Sequence, residues 1–478
     1  MSVATIVGSG PNGLAAAITL ARAGISVTVL EATDEPGGGC RSSEMLEPGL
    51  IHDHCAATHP MAIGSSFLTS LDLARHGVRW LLPEIDCVHP LDDGSAGVLY
   101  RSVADTATLM GRDGNRWRAL FGYPSEHFET LVEDITAPLL RVPHHPIQMA
   151  RFGLPAALPA STIARLLRTE SARALYGGVA AHAFRPLHYP MTAAVGLGIM
   201  TAGHRYGWPV VSGGTGSLVR AMTATLAELG GEVCTGVRID DAAQLPDADL
   251  TLFDLEPGSV AKILGDRLPA RVTRAFTRFR HGPGAFKVDF AVDGGVPWAT
   301  SAARRAGTVH LGGTYAEVAS TERQIHAGIM PERPFVLAGQ QYLADPQRSA
   351  GTIHPLWTYA HVPFGYAGDA TEAIIRQIER FAPGFRERIV GTAVRSTTEM
   401  SVYNANYVGG DIMTGAKDIR QLVFGPRVGL SPYSLGTPGM FLCSAATPPG
   451  PGAHGMCGVH AANAALKHLP RRGPTAYR

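Results

Sequence analysis

Gly8, Gly10 and Gly13 stand in the stretch VATIVGSGPNGLAAAITLARAG, between a short apolar run and an alanine-rich one. Val3–Val7 stops at glycine, the pattern of a buried parallel strand. From about Asn12 to Ala23, Leu14, Ile18 and Ala21 share one face, which predicts a helix with Gly24 as its stop. Ser26–Leu30 is β-branched and apolar and predicts the next strand. The three elements make a β-α-β unit of about 30 residues. Its glycines fit G-x-G-x-x-G. The first permits a tight turn, the second lets backbone approach a pyrophosphate, and the third lets the helix pack close to the strand with its N–H groups aimed at the phosphates. Glu31 ends the second strand, where a carboxylate can accept hydrogen bonds from both hydroxyls of a ribose and repel a 2′-phosphate.

The loop after Glu31 discriminates between dinucleotides. It reads ATDEPGGGCRSSEMLEPGLIHDH, with Gly37, Gly38 and Gly39 followed by Arg41. Such a loop has no use in a simple nicotinamide-binding unit. It can lie against a more extended cofactor, with Arg41 offering charge to a phosphate. The plainer alternative is a flexible loop with a solvated arginine, and the position directly after the ribose-binding acid favours the first.

A chain of 478 residues is too long for one ordinary core, so two domains, or one interrupted by another, are expected. With 41 Lys plus Arg against 40 Asp plus Glu, it lacks the basic excess that non-specific nucleic-acid binding requires. Cys40, Cys55, Cys87, Cys234, Cys443 and Cys457 form no C-x-x-C pair, which suits reduced thiols in a cytoplasmic protein. No signal peptide is expected ahead of the first strand, and no uncharged run is long enough for a bilayer. Peripheral contact with a membrane stays open. Residues 104–206 carry helical periodicity with scattered prolines, and a β-rich stretch runs from GAFKVDFAVDG to HPLWTYAHVPF. The segment GMFLCSAATPPGPGAHGMCGVHAANAALKHL repeats the opening order of strand, glycine-rich loop and helix. The tail PRRGPTAYR is expected to fray.

The opening residues up to GGGCRS resemble the N-terminus of two-dinucleotide-binding-domain flavoproteins, the group that holds amine oxidases and phytoene desaturases. WPVVSGGTGSLVRAMTATLAELGGEV resembles the second element of that fold. YNANYVGGDI and the closing segment resemble the phytoene-desaturase-like branch, which includes retinol saturase and the pyridine-nucleotide-disulfide-oxidoreductase-domain proteins. The resemblance implies an α/β fold: a discontinuous Rossmann-like FAD domain (residues 1–69, 208–285 and 425–478) with an interleaved α+β substrate domain (70–207 and 286–424). It implies non-covalent FAD, with Gly8, Gly10, Gly13, Glu31, Gly38 and Arg41 at family FAD positions. Val237 matches the position whose backbone meets the adenine. Gly450, Gly452, His454, Gly455 and Met456 match those near the ribityl chain and pyrimidine edge, where a helix starting near Met456 would stabilise reduced flavin. One departure is Cys443-Ser444, where amine oxidases usually carry an acid.

Flavin oxidation of a C–H bond asks little of side chains, so catalytic residues are hard to read. Lys287, alone among alternating apolar residues, resembles the flavin-facing lysine of amine oxidases; the other reading is a snorkelling strand-edge lysine. The cluster His52, Asp53, His54 and His59 offers acid/base candidates in His54 and His59, though such histidines are often structural. An intervening acid and a missing third ligand argue against a metal there, and none is expected. His144 and His145 flank a stretch that either walls a lipid-like tunnel, touches a membrane or is core. The expected activity is a flavin dehydrogenase or desaturase taking a hydride from a largely apolar small molecule, with isoprenoid-like compounds among the candidates, and passing electrons to oxygen, a quinone or another acceptor. The alternatives are an amine oxidase and a non-catalytic isoprenoid-binding protein of the same architecture.

Overall fold

The computed structural model describes residues 2–429 and 431–469. The tail PRRGPTAYR, expected to fray, lies outside them. Its strands in chain order begin with β1 (Val3–Val7), β2 (Ser26–Leu30), β3 (Ser42–Glu44), β4 (Ile51–Asp53) and β5 (Trp80–Leu81). There follow β6 (Ile85–Pro90), β7 (Ala96–Leu99), β8 (Val210–Val211), β9 (Glu232–Cys234) and β10 (Leu250–Phe253). The last are β11 (Gly284–Asp293), β12 (Ala306–Leu311), β13 (Val336–Gly339), β14 (Ile353–Val362), β15 (Ile389–Arg395) and β16 (Met440–Leu442).

One sheet has the order β16-β10-β1-β2-β9, with every pairing parallel. It draws strands from both ends of the chain and from the middle, so one layered unit is assembled from distant segments. Its strands read as apolar runs because both faces are covered. The helix Pro11–Arg22 follows β1 directly, with Pro11 at its first position, where a missing N–H costs nothing. The closing helix Met456–Leu466 packs across it. At the crossing, a Cβ on Gly458 would overlap the Asn12 carbonyl, so only glycine allows the approach.

The second sheet has the order β15-β11-β14-β13-β12-β6-β7, antiparallel except for β12 against β6. Along β11 the side chains divide by face. Phe286, Val288, Phe290 and Val292 enter a core with Ile374 and Phe385, while Lys287 and Asp289 point to the other side. Helices between 103 and 206 cover that other side of the sheet. The expected domain boundary between 285 and 286 falls inside β11, because the strand runs unbroken from Gly284.

Candidate functional site

A cavity of about 760 Å³ runs between the two sheets. One end is lined by Gly8, Gly10, Glu31, Val237 and Asp254. Gly38, Arg41, His59 and residues 445–453 of the closing loop, Gly450 and Gly452 among them, also line it. The rest is mostly apolar, walled by Ile135, Met149, Phe152, Phe184, Trp357 and Tyr359 among others.

The glycine turn is built as an anion cradle. Gly8 takes φ +100°, a conformation that suits glycine, and its N–H donates to the Leu30 carbonyl at 2.8 Å. A Cβ on Gly38 would lie 3.1 Å from the Gly10 Cα, so the two glycine loops touch through backbone. Gly10 and Asn12 have N–H groups with no partner among the described residues. Pro11 supplies none. These groups open the positive end of a helix toward the cavity.

Glu31 takes hydrogen bonds from Ser9 N–H at 3.0 Å and from the Thr33 N–H at 2.9 Å, with hydroxyls of both residues adding to them. These bonds outweigh burial and hold its carboxyl below the usual range. Arg41 lies 3.9 Å from Glu31, with its guanidinium over the Tyr403 ring at 5.1 Å. The Arg41 Nε is buried and has no hydrogen-bond partner among the described residues. An orphaned guanidinium N–H beside unpartnered backbone donors suits a pyrophosphate. The Val237 N–H is used by the Glu31 carbonyl at 2.7 Å, so its own carbonyl is what remains for a base edge.

The structure sets several of the expected residues behind the cavity wall. Gly13 does not line the cavity; it sits behind the turn and donates to Asp254. Gly455 and Met456 do not line it either. Gly455 is the left-handed cap of the closing helix, wedged against Ala15 and Phe67, and Met456 donates its N–H to His454 Nδ1 at 3.1 Å. The helix is pressed into the first helix, so the loop before it forms the wall.

Lys287 also lies off the cavity surface. It shares a sheet face with Tyr359 and Arg395, is fully buried, and forms an ion pair with Asp289. Its ammonium stands 5.7 Å from the Trp357 ring centre. Burial lowers its pKa, and Asp289 opposes that shift. His54 is likewise off the surface: its Nδ1 accepts from Arg395, which leaves Nε2–H to donate to Ser43 at 2.8 Å. Burial, with Arg395 and Lys287, pushes His54 down to about 3. His59 does line the cavity, but it donates Nε2–H to Thr215 at 2.9 Å, and burial pushes it down to about 4. His52 is buried with Nε2 3.3 Å from the Phe290 carbonyl. Asp53 is the pivot of a buried knot, accepting from Ser42 at 2.6 Å, Thr215 N–H at 2.8 Å and Arg348 at 2.5 Å. His52, Asp53 and His54 hold loops together behind the wall, and His59 alone of the four reaches the cavity. His144 and His145 donate their N–H groups to Asp134 at 2.9 and 2.8 Å, ahead of a helix whose Met149, Phe152 and Gly153 wall the cavity. Among the described residues, no group of three or more histidines, cysteines or carboxylates could hold a metal.

Asp254, which the motif reading missed, ends β10 as Glu31 ends β2. The acid directly after the apolar run DLTLF was the available signal. Tyr403 and Asn406 were also missed. Tyr403 donates to the Gly38 carbonyl at 2.8 Å, and Asn406 donates to the Asp254 carbonyl at 2.9 Å, so YNANYVGG clamps both glycine-loop neighbours.

The arrangement has clear counterparts. Residues 6–67 match the family model described as an NAD(P)-binding Rossmann-like domain. The chain is 23% identical to mouse pyridine nucleotide-disulfide oxidoreductase domain-containing protein 2, over 98% of this chain and 93% of that protein. It is 27% identical to hydroxyneurosporene desaturase of Cereibacter sphaeroides, over 55% and 58% of the two chains. Among solved structures, an oxidoreductase from Methanosarcina mazei superposes with a TM-score of 0.64 at 14% identity, covering 97% and 100%. Putrescine oxidase bound to putrescine gives 0.60 at 17%, covering 98% of each. The chain has the two-dinucleotide-binding-domain flavoprotein fold that phytoene-desaturase-like proteins and amine oxidases share, with a Rossmann-like unit at its start.

Proposed function

We propose that the protein is an FAD-dependent oxidoreductase of the dehydrogenase or desaturase type, acting on a largely apolar small molecule. The observation that carries this reading is the single cavity that joins the glycine-turn cradle to an apolar chamber. Gly10, Asn12 and Arg41 would hold the pyrophosphate, Glu31 the ribose, and the Val237 carbonyl the adenine edge. The closing loop, Gly450 and Gly452 included, would face the reactive ring. A bound flavin supplies a hydride acceptor and passes electrons onward to oxygen, a quinone or another oxidant. The chain's part is to orient the substrate and exclude water. Phe152, Phe184 and Met149 present hydrocarbon, which favours substrates with long apolar surfaces.

An amine oxidase reading is weaker. The only carboxylates lining the cavity among the described residues are Glu31 and Asp254, each just past a strand end on the nucleotide side, and Asp240, in the loop that carries Val237. An ammonium in the apolar chamber would lack a counter-ion. A non-catalytic carrier would have no use for the nucleotide cradle. No helix among the described residues is long and apolar enough to cross a membrane. All six cysteines are free, which suits a reducing, cytoplasmic setting.

The test is to load purified protein with FAD, reduce it anaerobically with a panel of apolar substrates and amines, and identify products by mass spectrometry. Bound flavin reduced by an apolar substrate with formation of a new double bond is the expected result. Protein that takes up no flavin, or holds only a nicotinamide nucleotide, removes the proposal. Reduction by amines alone replaces it with the second reading.

A further inference from the structure

Four histidines cluster beside the apolar chamber and take no part in the nucleotide cradle. His89 and His310 lie on β6 and β12, His361 lies on β14, and His182 lies in the turn Ala181–Ala183. His182 Nε2 is 3.2 Å from His310 Nε2, and His310 Nδ1 is 3.6 Å from the Cys87 sulfur. Gly178 leaves the space they occupy: a Cβ there would lie 2.6 Å from His89 Nδ1 and 2.9 Å from His310 Nδ1. His361 is tied to Glu322 at 2.7 Å and stacks on Phe184 at 3.9 Å.

Only His182 of the four lines the cavity. Its Nδ1 has no hydrogen-bond partner among the described residues. Tyr359 lines the same cavity, stacks with Phe184 at 6.2 Å, and has a hydroxyl that is likewise unbonded among the described residues. These two polar atoms open on the walls flanking Phe184, while Trp208 Nε1, Trp357 Nε1, Thr308 Oγ1 and Gln341 Nε2 of the same lining, also unpartnered among the described residues, are buried.

Two proton arrangements satisfy the row behind His182. In one, the Cys87 thiol donates to His310 Nδ1, His310 Nε2–H donates to His182 Nε2, and His182 keeps its proton on Nδ1. In the other, His310 Nδ1–H donates to the sulfur, His182 Nε2–H donates to His310, and His182 Nδ1 is a bare acceptor. The open atom can therefore donate or accept. A hydroxyl or carbonyl finds a partner there, whereas a pure hydrocarbon leaves the imidazole facing nothing. Burial keeps the row neutral, pushing His182 down to about 3 and His310 well below its ordinary value. A carboxylate would lose its hydration without gaining a cation from this row.

We propose that His182, positioned by His310 and joined by Tyr359, forms a subsite for one neutral oxygen function, a hydroxyl or carbonyl, on an otherwise apolar substrate. The inference rests on the oxidoreductase reading for the identity of the chamber as the substrate site.

The test is to titrate FAD-loaded protein with 1-dodecanol and with dodecane and follow tryptophan fluorescence, since Trp208 and Trp357 line the same cavity. Without a polar partner the alcohol binds more weakly than the alkane, because its hydroxyl gives up water for nothing. The wild type is expected to favour dodecanol by about tenfold, and H182F to prefer dodecane. H182Q keeps a polar tip and retains part of the preference, and H310F weakens dodecanol binding while leaving dodecane unchanged. Circular dichroism checks that each variant is folded. Wild type that binds dodecane as tightly as dodecanol, binding of neither probe, or folded H182F with an unchanged preference overturns the subsite. Flavin absorbance is read in the same samples. A His182-dependent preference in protein that holds no flavin keeps the subsite and removes the oxidoreductase reading instead.

Discussion

The backbone N–H of Gly13 donates to the Asp254 carboxylate at 2.9 Å, across 241 residues of chain. The bond ties the end of β10 to the glycine turn after β1. It also sets a titration. Burial, reinforced by the charge of Glu31, pushes Asp254 up from 3.8 to about 7, against the pull of the Gly13 bond. A carboxyl whose folded value lies above its unfolded one holds its proton longer in the native state. Stability is therefore full below the unfolded value and falls as pH rises toward about 7. Asp86, also raised to about 7 by burial, acts in the same direction.

Urea unfolding of the flavin-free protein should accordingly show lower stability at about pH 8 than at about pH 5, with each acid contributing up to about 1.4 kcal/mol per pH unit. D254N should remove one share of that slope and leave the share of Asp86. An unchanged slope in D254N would show that the carboxyl is ionised throughout.

Gly13→Ala should abolish cofactor loading more completely than Gly10→Ala. A Cβ on Gly13 would overlap the Gly8 carbonyl, which is backbone and cannot step aside, whereas at Gly10 it meets the tip of the Asp254 side chain. Equilibrium dialysis with FAD should show G13A weakened by at least about 100-fold, or roughly 3 kcal/mol. Equal losses in the two variants would contradict the difference in packing.

Arg41→Ala should weaken FAD binding by about 10- to 100-fold, and the binding that remains should depend less on salt. Arg41→Lys should recover only part, because a lysine cannot stack over Tyr403 while presenting a fork. Flavin fluorescence titrations at two ionic strengths measure both effects. Full affinity in R41A would place the phosphates elsewhere.

Lys287 and Asp289 are predicted to behave as a structural pair. K287M strands a buried carboxylate and should cost about 3–5 kcal/mol in thermal or urea unfolding, while K287M with D289L should cost much less. The double variant should keep its rate of flavin reduction within about tenfold of wild type. A folded double variant slowed beyond about 100-fold would restore Lys287 to the chemistry.

The first β-α-β unit was legible because all its signals are local: strand, three glycines, helix, acid. Helix and strand bounds fall within a residue of the spacing there, with Pro11–Arg22 for a helix expected from about Asn12 to Ala23. The alternation in GAFKVDFAVD likewise marked a strand. It could not say what Lys287 faces, because that depends on its cross-strand neighbours Tyr359 and Arg395, which enter the sheet much later in the chain. The closing motif behaves in the same way. Its glycines marked a loop and a helix start, but which of them meet the cavity is decided by how Gly458 seats the helix on Asn12. His182 carried no signal at all, since nothing near it in sequence distinguishes it from the 18 other histidines.

The seating of the closing helix on the first has a consequence for how the molecule is made. β1 is made long before β16, which closes the far edge of its sheet against β10, and long before the helix that braces the glycine turn. During most of synthesis the nascent cradle has an open flank. Capture of its cofactor thus waits for the closing segment, and a chain cut short before Met456 would be left with half a nest and exposed apolar strands for chaperones or proteases to find.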